Sequence, residues 1–340
     1  MHMFTMTRPI ESWLVFSLDH DEQLKYLYLD TDEKGIFVRA YGKVAIESGI
    51  LSKGEVLRAQ AFLEVLTKLK KDLALEKKAP KFILLLPQEH FLQESLVIPD
   101  LNLKKKLSKQ VQTFLEKNKE AYPWLENHTY VPTYDLRTKK VYLEIVRADR
   151  YQSFAIIFQQ AGFSPISIHG NLAGITTYLD EAERSLSIVV GEQTTRLVDF
   201  EYDHLLKEKR FEFSYQSLLK IIIKHLKLSS PERAQAILSE YGISRAHREK
   251  SIYRELNRSL TPLSDLLRKR SAGSLSLSIL FLGTPLAGMV DTLEQQARLP
   301  IREIDPFIGS DSSFHQVLSL PANERYEYAL LALAALAAKK

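Results

Sequence analysis

Residues 187–200 read "SIVVGEQTTRLVDF": two apolar runs flank a tight corner at Gly191, with Thr194 and Thr195 behind it. Such a corner can cradle a phosphate, because a glycine lets backbone N–H groups approach phosphate oxygens with no Cβ in the way. That chemistry needs a nearby carboxylate to hold a cation, and the residue two before Gly191 is Val189, which cannot ligate one. Two acidic stretches offer carboxylates elsewhere. "DHDEQ" carries Asp19, Asp21 and Glu22, and "DTDEKG" carries Asp30, Asp32 and Glu33. A calcium loop opening at Asp30 needs an acid at its twelfth position, where Tyr41 stands, so both stretches read as hairpin turns. His20 has no second histidine near it, so it reads as a surface residue and not a metal ligand. No "GxSxG" elbow and no "HExxH" occurs, which removes the hydrolase and zincin readings.

Composition narrows the rest. A chain of 340 residues is long enough for two domains or one bilobed one. The absence of cysteine excludes disulfides, thiolate metal sites and a cysteine nucleophile. A net charge of +4 on this length does not call for a nucleic-acid partner. No apolar run reaches the roughly 18 residues that a membrane span requires. "YALLALAALAAKK" falls short and reads as a helix buried against a core, and "MHMFTMTRPIES" has no apolar segment of the signal-peptide kind. The basic stretches "KLKKDLALEKK" and "LKKKLSKQ" read as solvated helix faces, with contact to acidic lipid or an acidic partner as the alternative.

The elements that must position the corner follow from periodicity. "WLVFSL", "LKYLYLD" and "GIFVRAYGKVAIE" predict an antiparallel meander, and a helix capped by Ser52 follows. "KFILLLP" is apolar on both faces and predicts a central strand. A β-α-β-β-α insert comes next, its last helix ending at Gly162 and one strand carrying the edge-strand signal Pro132. At residue 186 the pattern restarts with a second meander and helix, which reads as a weak internal duplication.

That duplication, with its glycine and threonine corner, resembles the actin-like ATPase superfamily. In detail it resembles the PilM family of type IV pilus assembly proteins, related to the cell-division protein FtsA. The likeness rests on an ordered series of segments over nearly the whole chain: "GKVAIESGILSKGEVLRAQAFLEVLTKL", "FILLLPQEHFLQESLVIPDLNLKKKLSKQVQTFLEKNKEAYPW", "EIVRADRYQSFAIIFQQAGFSPISIHGNLAG" and "SILFLGTPLAGMVDTLEQQARLPIREIDPF". Pro99 and Pro123 fall on the family's two prolines. The resemblance implies an α/β fold, a duplicated actin-like (ribonuclease H-like) architecture with a subdomain 1C insert. Subdomain 1A would hold 13–80 with 162–184, the insert 81–161, subdomain 2A 185–228 with 273–340, and the helical subdomain 2B 229–272.

The resemblance also implies ATP as cofactor. Its residual cofactor positions are Gly191, Thr194, Thr195, Gly283 and Lys25. The surrounding pattern departs from the family's. Val189 replaces the aspartate of the second phosphate loop. Leu18 and His20 stand for the first loop's aspartate and glycine in the register set by Lys25, and a shift by one recovers only Asp19. Ser214 and Tyr215 replace a glycine pair, Gln235 and Leu238 replace a glutamate and a lysine, and Thr284 and Pro285 replace two glycines beside Gly283. Phosphoryl transfer needs these parts together. The expectation is therefore a degenerate, non-hydrolysing relative with no metal and no catalytic residue. It would act as a cytoplasmic scaffold at the inner-membrane platform of a type IV pilus or type II secretion machine. Implied partners are a short cytoplasmic peptide of a PilN-like or GspL/GspM-like membrane protein, the machine's assembly ATPase, and a second copy in a homodimer. Two alternatives stand beside it: an active ATPase using Asp19 with Asp199 or Glu192 as substitute carboxylates, and an FtsA-like filament protein anchored through its C-terminal tail.

Overall fold

The computed structural model describes residues 11–20, 22–32, 35–75, 80–172, 174–175, 183–202, 204–243, 250–270, 275–283, 285–305 and 326–339. The described chain divides into two compact units. The first runs to Gly174 and takes in the last residues from Leu331; the second runs from Ile175 and includes 326–330.

In the first unit, β1 (Glu11–His20), β2 (Gln23–Asp32) and β3 (Gly35–Ala45) form the predicted meander. Two short strands, β4 (Leu51–Ser52) and β5 (Glu55–Val56), follow, and then helix α1 (Ala59–Asp72). Ser52 therefore lies in a strand and does not cap the helix. Lys53 and Gly54 between the strands both have positive φ, 50° and 69°, the left-handed pair that closes a two-residue hairpin. Strand β6 (Lys81–Leu86) pairs in parallel with β1, so that Trp13 lies opposite Lys81 and Ser17 opposite Leu85.

The insert elements come next: β7 (Phe91–Leu96), α2 (Leu107–Lys117), β8 (His128–Asp135), β9 (Lys140–Arg147) and α3 (Ala148–Gln160). Strand β10 (Ile166–Gly170) closes the unit's large sheet, ordered β10-β6-β1-β2-β3. Phe62 and Leu66 of α1, with Phe154 and Phe158 of α3, pack on Leu14, Phe16 and Leu84. Phe16 meets Phe158 and Phe163 edge to face, at centroid distances of 5.2 and 5.1 Å. Gly162 ends α3 as predicted: it takes φ 83°, its N–H donates to the Gln159 carbonyl, and the Phe163 N–H donates to the Phe158 carbonyl.

The insert has its own small sheet, ordered β7-β9-β8, with β8 and its Pro132 at an edge. Helix α2 packs on one face through Val111 and Leu115, against Leu96, Val141, Leu143 and Ile145. Two elements assigned to the insert from sequence belong elsewhere. Strand β6 lies between β1 and β10 in the large sheet, because it is apolar on both faces. Helix α3 turns its phenylalanines into the core of that sheet. A carboxylate ties the insert to the strand beside β6: Glu144 Oε1 accepts the Gly170 N–H at 2.8 Å, and Oε2 lies 2.9 Å from His169 Nδ1.

The second unit repeats the plan. Strands β11 (Arg184–Val190), β12 (Thr195–Glu201) and β13 (His204–Phe211) form the meander, followed by helices α4 (Tyr215–Leu226), α5 (Pro231–Tyr241) and α6 (Lys250–Arg270). Strand β14 (Leu275–Phe281) pairs in parallel with β11; then come α7 (Met289–Ala297) and β15 (Arg302–Ile304), parallel to β14. The sheet order β13-β12-β11-β14-β15 matches the first sheet strand for strand, which is the duplication read from the sequence. Helices α5 and α6, expected as a separate subdomain, have no core of their own. Leu238, Leu256, Leu260 and Leu263 join Ile188, Leu218 and Leu286 in one apolar cluster. The last helix, α8 (Ala329–Lys339), is apolar, and Ala329 to Ala335 are all buried, so this stretch is no free amphipathic anchor. Gly174 admits the α8 backbone: a Cβ there would stand 2.5 Å from the Ala334 nitrogen. Among the described residues, no helix is long and apolar enough to cross a membrane.

Two stability predictions follow from these contacts. Burial pulls the His169 imidazole down, but the hydrogen bond and charge of Glu144 outweigh it, and the net shift is upward. A raised histidine contributes its stability fully below the ordinary value of about 6.5 and loses it as pH rises through the folded value. The difference in unfolding free energy between the native chain and His169→Gln should thus be largest near about pH 6 and shrink in alkaline buffer. Ser214 heads α4 with a reciprocal capping box, its Oγ accepting the Ser217 N–H at 3.1 Å while Ser217 Oγ accepts the Ser214 N–H at 2.8 Å. Ser214→Ala should cost about 1 kcal/mol in denaturant unfolding.

Candidate functional site

The Gly191 corner joins β11 to β12 in the second unit. It is closed by its own backbone, the Gly191 N–H donating to the Thr194 carbonyl at 3.0 Å. A Cβ on residue 191 would stand 2.8 Å from that same carbonyl oxygen, so the turn itself demands glycine there, with or without a phosphate. The corner also reaches the start of α4. The Tyr215 N–H donates to the Gly191 carbonyl at 3.3 Å, and the Gln216 N–H donates to the Glu192 carbonyl at 3.0 Å. With Ser217 bonded to Ser214 Oγ, the first three amides of α4 are all satisfied within the chain. A helix N-terminus binds an anion through amides left without partners, and here none of these three is left.

A cavity of about 250 Å³ opens beside the corner, lined by Gly191 and Glu192, Tyr215 and Gln216 of α4, Gln235 of α5, and Gly283 after β14, with Glu327 among the rest. Tyr215 lines the cavity, its hydroxyl lying 3.5 Å from Ser239 Oγ on α5. Gln216 Nε2 donates to Glu192 Oε1 at 3.2 Å. A Cβ on Gly283 would meet nothing within 4 Å, so that backbone stays open to the cavity. Among the described residues, the two charged ones of the lining, Glu192 and Glu327, are both acidic, and no lysine, arginine or histidine joins them. That is the wrong sign for a polyphosphate.

The remaining sequence candidates scatter. Thr194 and Thr195 belong to the corner but not to the cavity lining. Thr195 is fully buried, with its hydroxyl unpartnered. Lys25 stands on β2 of the first unit, opposite Ser17 and Lys43. Val189 is a buried strand residue, and Leu238 packs in the core instead of reaching a ligand. Asp199, a substitute carboxylate in the active-enzyme alternative, is buried and held by Arg184 at 2.8 Å and Arg270 at 3.2 Å. This three-residue cluster joins positions 15 and 71 apart in sequence, and no local pattern announces it. The side chains of Asp19 and His20, and residues Asp21, Glu33 and Thr284, lie outside the described residues. Among the described residues, no group of three or more histidine, aspartate and glutamate side chains is placed to hold a metal. The described residues lining this cavity therefore offer a magnesium triphosphate no cationic side chain and no metal cluster.

No protein-family model matches the chain, and no curated protein matches it by sequence. Solved structures do match in fold. The chain is similar to the "PilM-PilN type IV pilus biogenesis complex" at 16% identity and a TM-score of 0.64, covering 96% of this chain and 98% of that one. It is similar to MreB5 of Spiroplasma citri bound to AMPPNP at 8% identity and a TM-score of 0.52, over 97% and 96%. A third likeness is to the ethanolamine utilization protein EutJ from Carboxydothermus hydrogenoformans, at 11% identity and a TM-score of 0.50, over 96% and 91%. At these identities the likeness is one of fold: the chain has the duplicated actin-like ATPase fold.

Proposed function

We propose that this chain is a cytoplasmic adaptor of an inner-membrane platform, of the type IV pilus or the related type II secretion kind, working without nucleotide turnover. Its task is to hold the cytoplasmic tail of a membrane partner and to pass that engagement to the machine's assembly ATPase. One observation carries the first half: the structural match to a PilM–PilN complex runs over nearly the full length of both chains. The second half is supported by the corner. The Gly191 amide and the first two amides of α4 are used by the corner's own carbonyls, Val189 stands where a metal carboxylate would be needed, and the charged residues of the cavity lining are acidic.

The tail-binding role needs no phosphate chemistry. Strand β8 is an edge of the insert sheet, with Val131 exposed at 43% and Pro132 beside it. An extended peptide laid along such an edge gains main-chain hydrogen bonds and side-chain contacts. Pro132 offers no N–H, so contacts with neighbouring side chains must supply the rest at that point.

Two measurements test the proposal. Mg-ATP at millimolar concentration should give no calorimetric heat and no rise in melting temperature. A ligand at 100 times its Kd would add about 2.7 kcal/mol, which a melt resolves, and Mg²⁺-dependent binding would sink the nucleotide-free reading. The cytoplasmic peptide of a PilN-type protein from the same genome should bind, and Val131→Asp should weaken it about tenfold, roughly the 1.4 kcal/mol that a buried apolar contact supplies. Equal binding by the variant would remove β8 as the contact.

A further inference from the structure

We infer that one end of the insert sheet docks directly on an anionic lipid bilayer. Strand register assembles this end from two segments far apart in the chain. Leu96 of β7 lies opposite Val141 of β9, and Asp135 of β8 lies opposite Lys140 of β9. The exit of β7 at Val97 and the turn 136–139 between β8 and β9 therefore project from the same end. Three large apolar side chains stand out in these segments: Val97 at 68%, Leu103 at 57% and Leu136 at 71% exposure. They do not serve the insert's core, which is complete beneath α2.

The same segments, 97–109 and 136–140, carry seven cations against one carboxylate, Asp100; Asp135, just outside them, pairs with Arg137 at 2.7 Å and leaves six. Lys104, Lys105, Lys106 and Lys109 are all exposed and have no ion-pair partner among the described residues. They crowd the N-terminus of α2, whose first turn has no acidic residue and whose N-cap, Lys106, makes no capping bond. Positive charge at a helix N-terminus opposes the helix dipole, so local stability does not ask for these lysines. The loop that presents them is nonetheless fixed. The Asn102 N–H donates to Gln110 Oε1 at 2.9 Å, and Gln110 Nε2 donates to the Asn102 carbonyl at 2.8 Å, which sets Leu103 outward.

Protruding apolar side chains beside the exposed Lys104, Lys105, Lys106 and Lys109 match the two signals a bilayer surface rewards: burial of apolar tips below the headgroups, and attraction of lysines to anionic lipid. The arrangement suits other acidic partners less well. The two segments contain no aromatic residue on which bases could stack. The apolar side chains stand at a sheet end and not along an edge where a peptide could pair. This inference does not rest on the adaptor reading, since it concerns a different end of the insert and needs no protein partner.

The test is co-sedimentation of the full chain with vesicles of phosphatidylcholine alone and of an equal mixture with phosphatidylglycerol. The native chain should pellet with the anionic vesicles only, and less as salt rises. The double variants Leu103→Asp with Leu136→Asp, and Lys104→Glu with Lys105→Glu, should each bind at least about tenfold more weakly. Their melting temperatures should be unchanged, because all four side chains are exposed. Leu57→Asp, exposed on a segment before α1, should bind as the native chain does. Leu136→Trp should shift its fluorescence to the blue on anionic vesicles only. A native chain that stays in the supernatant overturns the proposal, as do double variants that bind normally. Loss of binding in the lysine pair alone, with no effect of the leucine pair and no fluorescence shift, overturns docking through the apolar tips and leaves charge attraction to the lipid surface only.

Discussion

Each unit hangs on the central strand of its sheet, paired antiparallel on one side and parallel on the other. Strand β1 bonds antiparallel to β2 and parallel to β6; β11 bonds antiparallel to β12 and parallel to β14. Such a strand is covered on both faces, which favours apolar side chains and polar ones that find a partner, although Trp13 Nε1 and Ser185 Oγ are buried here without one among the described residues. Trp13 to Leu18 and Ser185 to Val190 are buried without a break. Ser187 finds its partner by sharing a 2.7 Å hydrogen bond with Ser278 on the neighbouring parallel strand. The meander on one side and the parallel strands on the other are both built out from this central strand, and the repetition of that constraint makes the two units alike.

The Gly191 corner sits at the end of the second such strand, where a phosphate loop would be. Here the Gly191 N–H faces the Thr194 carbonyl, and the first two amides of α4 face the carbonyls of Gly191 and Glu192. An amide N–H carries one proton, and once a carbonyl holds it at about 3 Å it has little left for an anion. The corner keeps the shape of a binding loop because the shape is needed to turn the chain and seat α4. Glycine persists at 191 for the same reason, since a side chain would collide with the Thr194 carbonyl.

The insert is a body with its own core, tied to the first unit through Glu144, whose two oxygens hold the Gly170 N–H and His169. That division explains how its edges and ends are free to differ from the rest in charge and polarity. Its sheet end gathers cations that the helix beside them does not favour, while its edge strand β8 stays nearly uncharged along its exposed residues.

Much of the fold was legible in local pattern. The alternation in residues 13–50, the two-faced apolarity of 81–86, Gly162 after α3 and Pro132 on an edge each state a conformational fact that neighbours in sequence enforce. That Val189 offers no ligand to a cation was legible too, since valine cannot hold one in any fold. The tertiary structure alone decided what depends on partners distant in the chain. It put Ser52 in a hairpin, carried α3 and β6 into the first core, and merged α5 and α6 with the second. It surrounded Asp199 with Arg184 and Arg270, and it brought the Val97 loop to the same sheet end as the Leu136 turn. Periodicity records which face of an element is apolar, but not which other element covers it; that choice is made by strand register and by the hydrogen-bond valence of groups that meet only after the chain has folded.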